Sequence, residues 1–160
     1  MLFWDASALV KAYSTEQGSS TVVGVLAQHD RGSLTDFVAL EVFTVLAKHR
    51  RTQQLSKTEY QTAVGEFSAD YPTSFYVLDV PRSVRETAFE LSRRYREASL
   101  GAMDLLHLAT ALDAARGVRP EPVVFATSDA ALQTAAAAEG LRTFNPETDP
   151  LSKLLKLLSN

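Results

Sequence analysis

The sequence predicts an α/β fold, a three-layer sandwich with a central, mostly parallel sheet flanked by helices. Short apolar runs such as Leu2–Trp4, Phe75–Leu78 and Val123–Ala126 alternate with stretches of helical period, the order that a parallel sheet with crossover helices requires. The first of these runs begins almost at the first residue, and a strand placed so early is expected at the centre of the sheet, because nothing before it covers it. At 160 residues, 46% hydrophobic and 22% charged, the chain is long enough for one domain with a real core.

Leu2-Phe3-Trp4 reads as a buried strand, with Trp4 in the core, that breaks at Asp5 into a turn and a helix with Ser7 near its start. Ser19 to Gln28 is a second helix, capped by Ser19 or Ser20, with Val22, Val23, Val25 and Leu26 facing the core. Gly32 to Thr35 is a short strand or turn. Asp36 is placed to cap a long helix through about Arg51. Glu41 sits at the edge of its face of Val38, Val42, Val45 and Leu46, and its last turn, Lys48 to Arg51, suits the negative end of the dipole. Ser56-Lys-Thr-Glu59 spells a capping box for a helix to about Asp70, which Tyr71-Pro72 is expected to stop. Phe75 to Leu78 is a strand, and a helix from about Arg82 to Ala98 carries Arg93, Arg94 and Arg96. A further helix opens at Gly101-Ala-Met-Asp104. Val123 to Ala126 is a buried strand ending in Thr127-Ser128-Asp129, which opens an alanine-rich helix closed by Gly140. Leu141 to Phe144 is the last strand. Residues 1–146 read as the folded unit and 147–160 as a helical extension of it, with Leu151, Leu154, Leu155 and Leu158 on one face. That helix is too short to stand alone in water, so its face must dock on its own domain, on a second copy or on a protein partner.

The chain has no cysteine, which removes disulfides and thiolate metal sites. No basic segment leads into an apolar one at the N-terminus and no apolar run approaches a membrane span, so a cytoplasmic protein without a membrane role is expected. Formal net charge is −3, so any hold on nucleic acid must come from local basic groups. Arg50, Arg51, Arg93 and Arg94 are candidates to contact a phosphate backbone, the alternative being plain solvated helix ends.

Asp104 is out of place on its helix. Leu105, Leu108, Ala111, Leu112 and Ala115 make the apolar face, and Asp104 falls inside that arc, whereas Asp113 lies opposite. A carboxylate buried alone costs several kcal/mol or takes up a proton. Asp104 therefore needs a basic side chain or a metal ion; the plainer reading is a first-turn acid that favours the helix dipole. Three more acids share its situation. Asp5 and Asp129 each follow an apolar strand, at the carboxyl edge where open α/β sheets place their ligands, and Glu41 breaks the apolar face of another helix. Four carboxylates from four segments can converge on one cleft. They would raise one another's pKa unless a cation neutralised them, and oxygen-only ligands favour Mg²⁺ or Mn²⁺. Such an ion can lower the pKa of a bound water and stabilise in-line attack on a phosphodiester. His107, three residues after Asp104, reads as a satisfied histidine, with a ligand or proton-shuttle role as the alternative.

Asp5-Ala-Ser7-Ala-Leu9, Glu41 within Ala-Leu-Glu-Val-Phe, Asp104 within Asp-Leu-Leu-His-Leu-Ala-Thr-Ala, and Thr127-Ser-Asp129 resemble the four acidic motifs of the PIN domain. Their order and spacing, with the chain length, fit the VapC-type toxins of bacterial and archaeal toxin–antitoxin systems. The resemblance runs as far as Asn145-Pro146. It implies a metal-dependent endoribonuclease that hydrolyses RNA with a water activated by Mg²⁺ or Mn²⁺, usually homodimeric and held silent by a cognate antitoxin. Residue by residue, it implies that Asp5 and Asp104 hold the metal most directly, that Glu41 and Asp129 support them, and that Ser7 and Thr127 are the nearby hydroxyls. Ser7 and Thr127 also read as helix-capping residues. Other functions fit the pattern less closely: a PIN-like nucleic-acid-binding or processing protein that is not a toxin, or a non-catalytic module with an acidic pocket. A phosphoacceptor module needs a lysine after the last strand, and none occurs before Lys153. An acyl-phosphate hydrolase with Asp5 as nucleophile usually wants a second Asp two residues on, where this chain has Ser7.

Overall fold

The computed structural model describes residues 1–28, 31–117 and 121–159. Its strands are β1 (Leu2–Trp4), β2 (Gly32–Thr35), β3 (Phe75–Leu78), β4 (Val124–Ala126) and β5 (Arg142–Phe144), all parallel in the order β3-β2-β1-β4-β5. β1 is central, as its early position predicts: Phe3 stands opposite Ser33 on one side and Phe125 on the other. Successive side chains of β1 enter different cores. Leu2 and Trp4 pack with α1 (Ala6–Leu9), α2 (Ser19–Gln28), α3 (Phe37–Arg51), α4 (Lys57–Ser74) and α8 (Leu151–Ser159). Phe3 stacks on Phe125, ring centroids 5.6 Å apart, beneath α5 (Arg82–Arg94), α6 (Ala102–Gly117) and α7 (Ala130–Ala138). With both faces covered, β1 and β4 read as unbroken apolar runs rather than alternating ones.

Several boundaries differ from the sequence expectation. α4 runs through Pro72 to Ser74. Tyr71 packs on Phe67 and its hydroxyl donates to the Asp36 carbonyl, so tertiary contacts hold a last turn in which proline removes a single N–H donor. α5 stops at Arg94 rather than Ala98. Asp36 occupies the cap position of α3 with helical dihedrals and makes no capping hydrogen bond. The capping box forms with both bonds, Glu59 N–H to Ser56 Oγ at 3.2 Å and Ser56 N–H to Glu59 Oε2 at 2.7 Å. Gly140 ends α7 with φ +87°. Gly32 is fixed by packing: a Cβ there would overlap the indole ring of Trp4.

α8 docks on its own domain through Leu154, while Leu155 of the same amphipathic face stays exposed. Leu154 is fully buried, and Arg142 Nη1 donates to the Leu157 carbonyl at 2.5 Å. Among the described residues no helix is long and apolar enough to cross a membrane. The chain leaves β1 toward β2 on one side and reaches β4 on the other, so the strand order reverses at β1. The carboxyl ends of β1, β2 and β4 border the crevice this reversal creates, where α/β sheets bind ligands.

Candidate active site

Asp5 continues the β1 ladder by one residue, its N–H donating to the Ala126 carbonyl at 2.9 Å. Its buried side chain caps α1 and takes all its hydrogen bonds on Oδ2: from Ser7 N–H at 3.2 Å, from Ser7 Oγ, and from Thr127 Oγ1 at 3.0 Å. Each hydroxyl is held in turn. Ser7 Oγ accepts from Ser128 N–H at 3.0 Å, and Thr127 Oγ1 accepts from Asp129 N–H at 3.1 Å. Asp5, not Ser7, is therefore the cap of α1, and Ser7 and Thr127 tie the ends of β1 and β4 to one carboxylate. In the same way Asp129, rather than Thr127 or Ser128, caps α7, its Oδ1 accepting from Leu132 N–H at 2.8 Å.

Asp104 lies half-buried in the first turn of α6, where Oδ2 accepts from Gly101 N–H at 2.6 Å. Glu41 projects from α3 and is bound by His107 of α6. That imidazole is fully buried, with Nδ1 2.7 Å from Thr35 Oγ1 and Nε2 on Glu41 Oε2. His107 is thus the satisfied histidine of the plainer reading, and it fixes Glu41 in place. The run from His107 to Ala111 is buried without interruption, because α6 packs on more than the single stripe its apolar residues mark out.

The four carboxylates share one electrostatic field. Burial raises the pKa of Asp104, the Gly101 N–H opposes that, and the charges of Asp5, Asp129 and Glu41 add to it, so its carboxyl stands above the ordinary range. Burial is also the largest influence on His107 and disfavours its charged form. The hydrogen bond to Glu41 and the charges of Asp5, Glu41 and Asp104 outweigh it, and its pKa is raised. Among the described residues no three acidic or imidazole side chains stand close enough to grip one ion. The four acids nevertheless follow one pattern. Each anchors one oxygen, while Asp5 Oδ1, Glu41 Oε1, Asp104 Oδ1 and Asp129 Oδ2 have no hydrogen bond among the described residues. Anchored carboxylates with a spare oxygen, in a field that already opposes ionisation of one of them, are a donor set that suits a hard divalent cation.

The arginines divide. Arg50 and Arg51 are exposed at the end of α3, and Arg50 Nη1 lies 3.5 Å from the Leu55 carbonyl. Arg94 Nη1 donates to both oxygens of Glu139, at 2.6 and 2.8 Å, and Tyr95 Oη joins them at 2.8 Å. Glu139 precedes the turn into β5, so Arg94 and its neighbour Arg93 stand at the edge where the strands begin, opposite the carboxylates. Sequence reasoning missed Lys11, which is 3% exposed and bridges Glu16 at 2.9 Å and Glu147 at 2.7 Å. The signal was a charge inside the apolar run Ala8-Leu-Val-Lys-Ala-Tyr13.

Residues 2–138 match the family model of the PIN domain. The chain is similar to Ribonuclease VapC45 of Mycobacterium tuberculosis, 29% identical over 150 residues that cover 94% of this chain and 99% of that protein. Its fold is similar to that of Mycobacterium tuberculosis VapC20, a sarcin–ricin loop cleaving toxin, with a TM-score of 0.67 at 18% identity over 94% of this chain and 100% of that one. A toxin–antitoxin complex from Klebsiella pneumoniae contains a similar chain, with a TM-score of 0.59 at 15% identity over 91% of this chain and 98% of that one.

Proposed function

The chain belongs to the PIN domain family, and from that premise we propose that it is a metal-dependent endoribonuclease, the toxin of a toxin–antitoxin pair. One observation carries the proposal: Asp5, Glu41, Asp104 and Asp129 come from four separate segments, share one field, and each keeps one oxygen free of hydrogen bonds among the described residues. The spare oxygens of these four are the ligands that Mg²⁺, with Mn²⁺ as the alternative, would take once the side chains close to a spacing that no three of them reach among the described residues. When bound, the ion supplies a Lewis acid that makes water a competent nucleophile at neutral pH and offsets charge on the phosphate under attack.

The chain's own residues orient the carboxylates. Ser7 and Thr127 hold Asp5 by donating to one oxygen, and His107 turns Glu41 and offsets part of the negative charge when protonated. The Asp129 cap fixes the start of α7, and the Gly101 N–H fixes Asp104. Similarity to a protein named ribonuclease supports an RNA substrate, and similarity to a chain in a toxin–antitoxin complex supports a protein antitoxin as partner. A homodimer in the cytoplasm, with residues 1–146 as the nuclease unit and 147–160 as its extension, completes the proposal.

The test is cleavage of a mixed RNA pool by the purified chain in Mg²⁺, in Mn²⁺ and in chelator, beside the Asp104→Asn variant. Metal-dependent cutting that the variant lacks is expected. Cutting in chelator, or at the wild-type rate by the variant, refutes the assignment.

A further inference from the structure

A groove of about 350 Å³ opens beside the carboxylates. Ser7, Ser128 and Asp129 form its inner end, and Val45 and His49 of α3 line it together with Lys11. His49 and Glu16 also line a smaller hollow of about 60 Å³ that reaches Gln54 and Leu55. The depression therefore continues past the end of α3, where Arg50 and Arg51 stand exposed. The two hollows share Glu16 and His49 as lining and form a stepped trench from Asp129 to the residue before Arg50.

The chemistry of the trench says what it holds. Lys11 is saturated by Glu16 and Glu147, and one ammonium between two carboxylates leaves a surplus of negative charge. A phosphate is repelled there, whereas an uncharged base is not. Val45 and the imidazole of His49 offer surfaces against which a planar base packs. Glu147 is held from both sides: its N–H donates to Asn145 Oδ1 at 2.9 Å, and Gln17 Nε2 donates to its carbonyl at 3.2 Å. Gly18, at φ +88°, lets this segment close in, since a Cβ there would meet the Pro146 carbonyl at 2.9 Å. Glu147 gives Oε1 to Lys11, while its Oε2 accepts no hydrogen bond among the described residues. A fixed carboxylate with a spare acceptor matches an exocyclic amino group on a base edge. At the inner end, Ser128 Oγ is buried without a partner among the described residues, a second polar atom left unsatisfied.

We infer that this groove seats the nucleotide next to the scissile phosphate and that Glu147 selects a base carrying an exocyclic amino group. The inference rests on the ribonuclease reading above. The experiment measures equilibrium binding of the full chain to short labelled oligo(C), oligo(A) and oligo(U), in chelator, for the wild type, Glu147→Gln and His49→Ala. The wild type is expected to favour oligo(C) and oligo(A) over oligo(U) by about fivefold or more. Glu147→Gln, which still presents an oxygen to Lys11, should level that preference. His49→Ala, which breaks no ion pair, should weaken all three alike. A preference that survives Glu147→Gln, no preference at all, or unchanged affinity in His49→Ala overturns the inference. Because this arm needs neither metal nor cleavage, its failure is distinguishable from failure of the ribonuclease reading, which would appear as no cutting by the wild type in Mg²⁺ or Mn²⁺.

Discussion

At Asp104 the fold accepts a carboxylate that it would be more stable without. Burial and three neighbouring acids oppose its ionisation, and only the Gly101 N–H favours it. Asp104→Asn keeps an oxygen for that N–H and removes the charge. The metal-free variant should melt at or above the wild-type temperature while losing more than about 100-fold of metal-dependent cleavage. Calorimetry and a cleavage assay on the same preparation check both halves, and a less stable variant with full activity would contradict both. At Lys11 the sign is reversed. Burial raises the pKa of Glu16, but hydrogen bonds from Ser14 and Lys11 and the charges of Lys11 and His49 bring it below its ordinary 4.5. A carboxyl with a lowered folded-state pKa stabilises the fold above its unfolded-state pKa, and that contribution is lost as pH falls through the folded-state value. Urea unfolding from about pH 6 to about pH 3 should therefore show a shallower acid loss for Glu16→Gln than for the wild type; parallel curves would mean that the pair adds nothing. Asp104 was legible in the sequence because a helix converts spacing into a face. His107 was legible as a satisfied histidine but its partner was not, and Lys11 was missed, because Glu41 and Glu147 come from other segments that only the folded chain brings near.

Elements were legible where their signals are local. The capping box at Ser56, the strand before Asp5 and the Gly140 stop all depend on neighbours a few residues away. The end of α4 depends instead on Tyr71 meeting Phe67 and Asp36, so Pro72 was over-read as a stop. The partner of α8 was equally hidden, since amphipathicity names a face but not what covers it. Its burial of Leu154 leads to an expectation that Leu154→Ala costs about 2–5 kcal/mol in chemical denaturation. A cost near zero would return the helix to an intermolecular role. β1 and β2 meet through Gly32 and Trp4, and Trp4, fully buried, has no room to yield. Gly32→Ala should lose about 1–3 kcal/mol by overpacking, measured in the same way, although alanine has the better backbone entropy.

For the whole molecule, direction decides what composition could not. All five strands run the same way, so every residue that follows a strand lies at the same edge as Asp5 and Asp129, and Arg93 and Arg94 fall at the other. Replacing Arg50 and Arg51 by glutamine should lower the slope of log K against log salt for single-stranded RNA, by about 0.7 for each phosphate no longer neutralised. The same change at Arg93 and Arg94 should leave the slope where it was. Equal effects from the two pairs would mean that RNA follows some path other than the carboxyl edge. The parallel order also sets when the site comes into being. Asp5 and Thr127 lie 122 residues apart and must meet before the Asp5 carboxylate gains its full set of hydrogen bonds. β1 gains its neighbour β4 only after most of the chain exists. Sheets closed by such distant pairings form late and slowly. A chain that ends before β4 already contains Asp5, Glu41 and Asp104, yet lacks the strand that pairs with β1, the Thr127 hydroxyl that holds Asp5, and Asp129. The carboxylate cluster is therefore completed late, when the segment around β4 has joined β1.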